Sequence, residues 1–170
     1  MTYKKERGMG MELKIPENFF VGAAMSGPQT EGAYKTGGRL ESIWDTWSDL
    51  SISDFYNKVG SYVGNNFYEK YEDDIKLLKS LHMDSFRTSM QWSRLLTKDG
   101  KLNQEGAQFY HKVCKCAKEN QIELFMNLYH FDMPTYLFER GGWESRDVVE
   151  AYAARSEERR VGKECRSRWS

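Results

Sequence analysis

No stretch of this 170-residue chain is apolar for long enough to cross a bilayer. The nearest candidate, Phe19 to Met25, is also too short for the apolar segment of a secretory signal. Net charge is lacking as well. Twenty-five basic residues balance twenty-five acidic ones, so nothing points to a nucleic-acid backbone or an anionic membrane as partner. Cysteine is scarce and odd in number, at three. Cys114 and Cys116 lie two apart in a helical pattern, point to different sides, and neither bridge nor chelate easily. A reduced cytoplasmic protein is the simplest inference. Internal repeats and low-complexity tracts are missing too. Aromatic residues, by contrast, make up 14% of the chain, with five Trp and ten Tyr. Such rings suit the stacking of sugars, although they more commonly fill cores.

The chain is organised around Glu123-Leu-Phe-Met-Asn-Leu-Tyr-His-Phe-Asp-Met-Pro134. Its nearly continuous apolar run suits a strand buried on both faces, as in a parallel sheet. The run ends in two polar residues, His130 and Asp132. One reading places His130 at the mouth of a site, because barrel enzymes collect their functional side chains at the C-terminal ends of strands. The other makes it a satisfied core histidine beside a helix-capping Asp132. This stretch alone does not choose between them. As metal ligands, His130 and Asp132 have no third partner at suitable spacing, so neither metal nor other cofactor is expected. The two helical cysteines fall in a helix interior, which argues against either as a nucleophile.

Residues 1–16 form a lead-in closed by Ile15-Pro16. Phe19 to Gly27 reads as a strand of large and very small residues, followed by the polar cluster Pro28-Gln-Thr-Glu-Gly32. A long connection from Ala33 to about Val63 holds Trp44, Asp45, Trp47 and Tyr56, and these aromatics argue against disorder. Asn65 or Asn66 then caps a helix whose apolar stripe runs through Phe67, Tyr71, Ile75, Leu78 and Leu81. The next strand, Ser85 to Trp92, alternates Phe86, Met90 and Trp92 with Arg87, Ser89 and Gln91. Lying between helices, it is expected to be parallel, with Arg87 directed inward and in need of a carboxylate. A strand-surface arginine is the alternative.

Ser93 to Gly100 reads as a loop. Asn103 caps a further helix with Phe109, Val113, Cys116 and Ala117 on its inner face. Pro134 begins a helical turn that ends at Gly141-Gly142, and Ser145 caps a last helix. The alternation of strand and helix predicts an α/β fold: the opening of a (β/α)8 TIM barrel over residues 17–154, truncated after about three βα units. Residues 155–170 change character, with six basic residues against three acidic and no apolar periodicity. They look like a non-native tail. The interleaved acids argue against nucleic-acid binding by it.

Four segments together resemble glycoside hydrolase family one. They are Phe19-Phe-Val-Gly-Ala-Ala-Met-Ser-Gly-Pro-Gln-Thr-Glu-Gly-Ala33, Ser42-Ile-Trp-Asp45, Phe86-Arg-Thr-Ser-Met-Gln-Trp-Ser-Arg94, and Leu128-Tyr-His-Phe-Asp-Met-Pro134 with Gly141-Gly-Trp143. Their order and spacing match the opening third of that family's barrel, and the nearest likeness is to its bacterial 6-phospho-β-glucosidases. The resemblance implies a retaining β-glycosidase that hydrolyses β-glucosides, 6-phosphorylated ones foremost. Gln29 and His130 would bind sugar hydroxyls, Trp143 would stand near the cleft, and Arg87 would orient the nucleophilic glutamate. Trp44 is expected to be mainly structural, and so is Glu31 in the Gln-x-Glu-Gly signature. Phe131 stands where many of the family's β-glucosidases carry tryptophan, as is common in its phospho-glycosidases. Pro28 departs from the usual neighbour of the glutamine. The acid/base motif Thr-x-Asn-Glu and the nucleophile motif Glu-Asn-Gly do not occur in these residues. The chain itself is therefore expected to be an inactive fragment, since retention needs two carboxyl groups. A 6-phospho-β-galactosidase, an unphosphorylated β-glucosidase and a non-catalytic sugar-binding fragment remain as alternatives.

Overall fold

Small residues decide how the first strand is used. The computed structural model describes residues 14–50 and 56–157, and in it β1 is only Gly22–Ala24. A Cβ on Gly22 would lie 2.0 Å from the Ser85 carbonyl oxygen, so only glycine allows β1 this close to its neighbour. The strand is shorter than the expected Phe19 to Gly27. Phe19, Phe20 and Val21 are exposed before it, and Pro28 then starts a helical turn, α1 (Gly27–Thr30). β2 (Ser85–Ser89) and β3 (Glu123–Asn127) complete a parallel sheet of order β1-β2-β3. Its register sets Ala24 beside Arg87 and Arg87 beside Phe125.

Helix α3 (Phe67–Ser80) connects β1 to β2, and α5 (Gln104–Glu119) connects β2 to β3. Both pack on one sheet face, where Phe67, Ile75, Phe109 and Val113 bury Phe86, Leu124 and Met126. Strand alternation puts Arg87, Phe125 and Asn127 on the opposite face. The expected apolar stripe of α3 holds as far as Leu78. Leu81 has left the helix and is 56% exposed, because the chain turns at His82 with a left-handed backbone. Asn66 and Asn103 occupy the N-cap positions, yet neither caps through its side chain. Asn66 is itself left-handed, while the Asn103 amide donates to the carbonyls of Gly37 (2.6 Å) and Arg94 (2.8 Å).

Two segments read as loops contain helices. The connection after Ala33 holds α2 (Ile43–Asp49), started by a capping box in which Ser42 and Asp45 exchange hydrogen bonds. Trp92–Leu95 forms α4, so the polar Ser93 and Arg94 are buried rather than looped out. α6 (Thr135–Phe138) follows Pro134 as expected. α7 (Arg146–Glu157) starts after Ser145, whose carbonyl accepts from Val148 and Val149. α7 continues past Arg155. The remaining tail, including Cys165, and residues 1–13 of the lead-in lie outside the described residues. A second apolar cluster joins Trp92, Leu96, Met133, Leu137 and Val148. No described helix is long and apolar enough to cross a membrane.

Candidate active site

Three parallel strands deliver their C-terminal ends to one edge of the sheet. From β1 the chain enters α1 with Gln29, from β2 it passes through Met90 and Gln91 into α4, and from β3 it runs through His130 to Asp132. Between the first and third of these ends lies a cavity of about 520 Å³, lined among others by Ser26, Gln29, Trp44, Ser61, His130 and Phe131. Gln29 and His130, 101 positions apart in sequence, thus face one space. The Ser26 hydroxyl donates to Gln29 Oε1 at 2.7 Å, which turns the amide nitrogen outward. Phe131 holds a left-handed backbone at φ 59°, an uncommon state for a bulky residue and one that recurs at ligand sites.

Arg87 and Trp143 are not among the residues lining that cavity. Arg87 lies half-buried on the open sheet face. With the Asn127 amide oxygen turned toward it, its Nη2 and Nε donate at 2.5 and 3.2 Å. The side chain points inward as its strand parity implied, and the partner is an amide on the neighbouring strand. Trp143 sits in an aromatic group, 5.2 Å from Tyr129, 5.3 Å from Tyr152 and 5.8 Å from Trp92 between ring centres, and remains 45% exposed. Trp44, by contrast, lines the cavity.

Asp132 unites the two readings of its stretch. It is fully buried, and one carboxylate oxygen accepts from the Trp92 amide that opens α4. The other oxygen accepts from the His130 amide at 3.1 Å. Asp132 therefore does cap a helix, but the one at the end of β2, and in doing so it fastens His130 at the cavity.

Beneath the cavity runs a buried polar network that the sequence did not disclose. Glu31 pairs with Arg94 at 2.8 Å and accepts also from Gln91 Nε2 (2.7 Å) and the Tyr110 hydroxyl (2.8 Å). Arg94 spends its other donors on the carbonyls of Gly32 and Thr36. A second pair, Arg39 with Asp45 at 2.8 Å, is buried alongside. Burial pushes the Glu31 carboxyl above its ordinary range, against the pull of Arg94 and the other donors. Burial and the neighbouring Glu31 charge raise the Tyr110 hydroxyl well above its usual value. With both carboxylate oxygens engaged by protein donors, Glu31 is a structural anchor in this fold. Gln91 and Arg94 fall in the Phe86–Arg94 segment that carries the family resemblance, but neither they nor Tyr110 gave any sign in the sequence of pairing with Glu31.

The sequence profile of the family described as glycosyl hydrolase family 1 matches residues 11–158. The chain is 40% identical over 142 residues to 6-phospho-beta-glucosidase GmuD of Bacillus subtilis (strain 168), covering 83% of this chain and 30% of the relative. It is 37% identical over 147 residues to beta-glucosidase A of Acetivibrio thermocellus, covering 86% and 33%. Among solved structures, the GH1 beta-glucosidase from Exiguobacterium antarcticum B7 superposes with a TM-score of 0.88 at 34% identity. That alignment covers 92% of this chain and 35% of the other. The chain spans about a third of the length of the proteins it matches.

Proposed function

Since the chain belongs to glycosyl hydrolase family 1, we propose that it forms the sugar-binding opening of a retaining β-glycosidase for 6-phosphorylated β-glucosides. The observation that carries this reading is the shared cavity of Gln29 and His130 at the C-terminal edge of the sheet. An amide and an imidazole on opposite walls supply donors and acceptors for adjacent sugar hydroxyls, and Trp44 adds a ring face for the pyranose. On this reading Arg87, held in direction by Asn127, awaits a nucleophilic glutamate, whose ionised form a guanidinium favours. Trp143 stands at the outer margin of the cleft. The preference for phosphorylated substrate rests on the Bacillus relative's name and on Phe131 in place of tryptophan. Cytoplasmic residence goes with it, because phosphorylated glucosides arise on uptake into the cell.

Retention requires an acid/base and a nucleophile about 5–5.5 Å apart. Neither corresponding motif is present in the 170 residues. The chain alone is therefore expected to bind a β-glucoside without turning it over; the second reading is a sugar-binding chain with no catalysis. Hydrolysis of 4-nitrophenyl β-glucoside and its 6-phosphate separates the two. The test compares this chain with the product of its reading frame extended past Ala154. Turnover by the extended product, with the 6-phosphate preferred and activity lost in His130→Ala, supports the proposal. Preference for the unphosphorylated substrate removes the phosphate assignment, and unchanged activity in His130→Ala removes the site.

A further inference from the structure

We infer that Gln91 is a positioning residue for this site, its side-chain amide joining the two buried ion pairs that hold the segments bearing Gln29 and Trp44, two of the residues lining the cavity. The inference rests on the cavity being the sugar site. Gln91 is fully buried at the C-terminal end of β2. Its Nε2 donates to Glu31 Oε2 at 2.7 Å, and its Oε1 accepts from Arg39 Nε at 3.2 Å. Glu31 stands two residues beyond Gln29, directly after α1. Arg39 in turn holds Asp45, the neighbour of Trp44 in α2. One amide thus spans from the segment bearing Gln29 to the segment bearing Trp44.

The backbone beside it holds the remaining wall. The Gln91 amide N–H donates to the Tyr110 hydroxyl at 2.7 Å, and that hydroxyl donates onward to Glu31. The next amide, of Trp92, is taken by Asp132, which also takes the amide of His130. Gln29, Trp44 and His130 are therefore all referred to residues 91–92.

The chemistry at position 91 is narrow. It must donate toward a carboxylate at one end and accept from a guanidinium at the other, which a side-chain amide does and a carboxylate or an aliphatic chain does not. Glutamate there would set a third carboxylate beside Glu31 and Asp45 and remove the donor. Leucine would leave Glu31 and Arg39 each short of a buried partner.

The test uses the full chain with isotope-labelled Trp, His, Ile and Val, titrated with methyl β-glucoside and with its 6-phosphate. In Gln91→Leu the Trp44 indole and His130 ring resonances should shift together while the Ile75 and Val113 methyl signals stay in place. Affinity for the glucoside should weaken about tenfold, the scale of one lost buried hydrogen bond. Gln91→Met, which keeps the length of the side chain and loses both hydrogen bonds, should move the same resonances and weaken binding to a similar extent. Unmoved Trp44 and His130 resonances in a folded Gln91→Leu overturn the inference, as they do in a folded Gln91→Met. If Gln91→Leu does not fold, Gln91→Met decides alone. A wild-type chain that ignores both methyl β-glucoside and its 6-phosphate defeats the sugar reading instead, while the resonances of the free protein still judge Gln91.

Discussion

Arg94 Nε lies 2.8 Å from Glu31 Oε2, with the two residues 63 positions apart in sequence and both side chains almost wholly removed from water. The pair ties the segment after α1 to α4. Arg94 also lies 4.3 Å over the Tyr68 ring and donates to three backbone carbonyls, so one guanidinium joins α1, α3 and α4. A charge this deep is stable only with its partners in place.

Arg94→Ala is expected to destabilise the chain by about 3–5 kcal/mol, since the Glu31 carboxylate stays buried without its counter-charge. Arg94→Lys should recover little, because an ammonium cannot reproduce the planar fork that reaches Glu31, Gly32 and Thr36 together. Urea unfolding measures both. A loss under about 1 kcal/mol for the alanine variant would mean the pair contributes no more than a surface ion pair does.

Glu31 also sets a pH dependence. Burial raises its folded-state pKa above the ordinary carboxylate value of 4.5, so the folded chain holds that proton more tightly than the unfolded chain. Its contribution to stability is complete below the ordinary value and declines as pH rises through the raised one. The difference in unfolding free energy between wild type and Glu31→Gln should therefore narrow as pH is raised from the ordinary carboxylate value upward. A difference that widens over that interval contradicts the assignment.

Asp132→Ala removes the acceptor for the first amide of α4 and should cost about 1–2 kcal/mol, the range for a lost helix cap. Asp132→Asn retains an acceptor oxygen and should cost less. Thermal unfolding orders the two variants. Equal stability of alanine and asparagine would show that the cap is not what Asp132 supplies.

Among the described residues, β1 and β3 each pair along one side only, and Phe19 before β1 is 59% exposed. Open strand edges beside exposed apolar side chains template association with further chains. The isolated chain should therefore self-associate as its concentration rises, and lysine at Phe19 and Val21 should reduce this. Light scattering across a dilution series reads the effect. A wild-type chain that stays monomeric at all concentrations refutes it.

Much of the architecture was legible because periodicity is a local property. The alternation in Ser85–Ser89, the stripe through Phe67 and Ile75 and the apolar run before His130 each declare which face is buried. The errors fell where a distant group supplied the deciding interaction. Ser93 and Arg94 read as loop residues because they are polar, yet they are helical and buried. The cap for that helix comes from Asp132, 40 positions away, and the counter-charge from Glu31. Asn66 and Asn103 were placed at the right helix ends by residue type. The type could not show that Asn103 uses its amide to hold the loop at Gly37.

The residue pattern by itself determined the three parallel strands, their two covering helices, and a histidine at the end of the third strand, because hydrophobic spacing needs no partner to be read. It could not determine that Gln29 and His130 share a cavity, that Arg87 meets Asn127, or that Gln91 lies between two buried ion pairs. Those are contacts between segments 40 to 101 positions apart. Only packing the strands side by side brings them within hydrogen-bonding reach, and only burial makes their pairing obligatory.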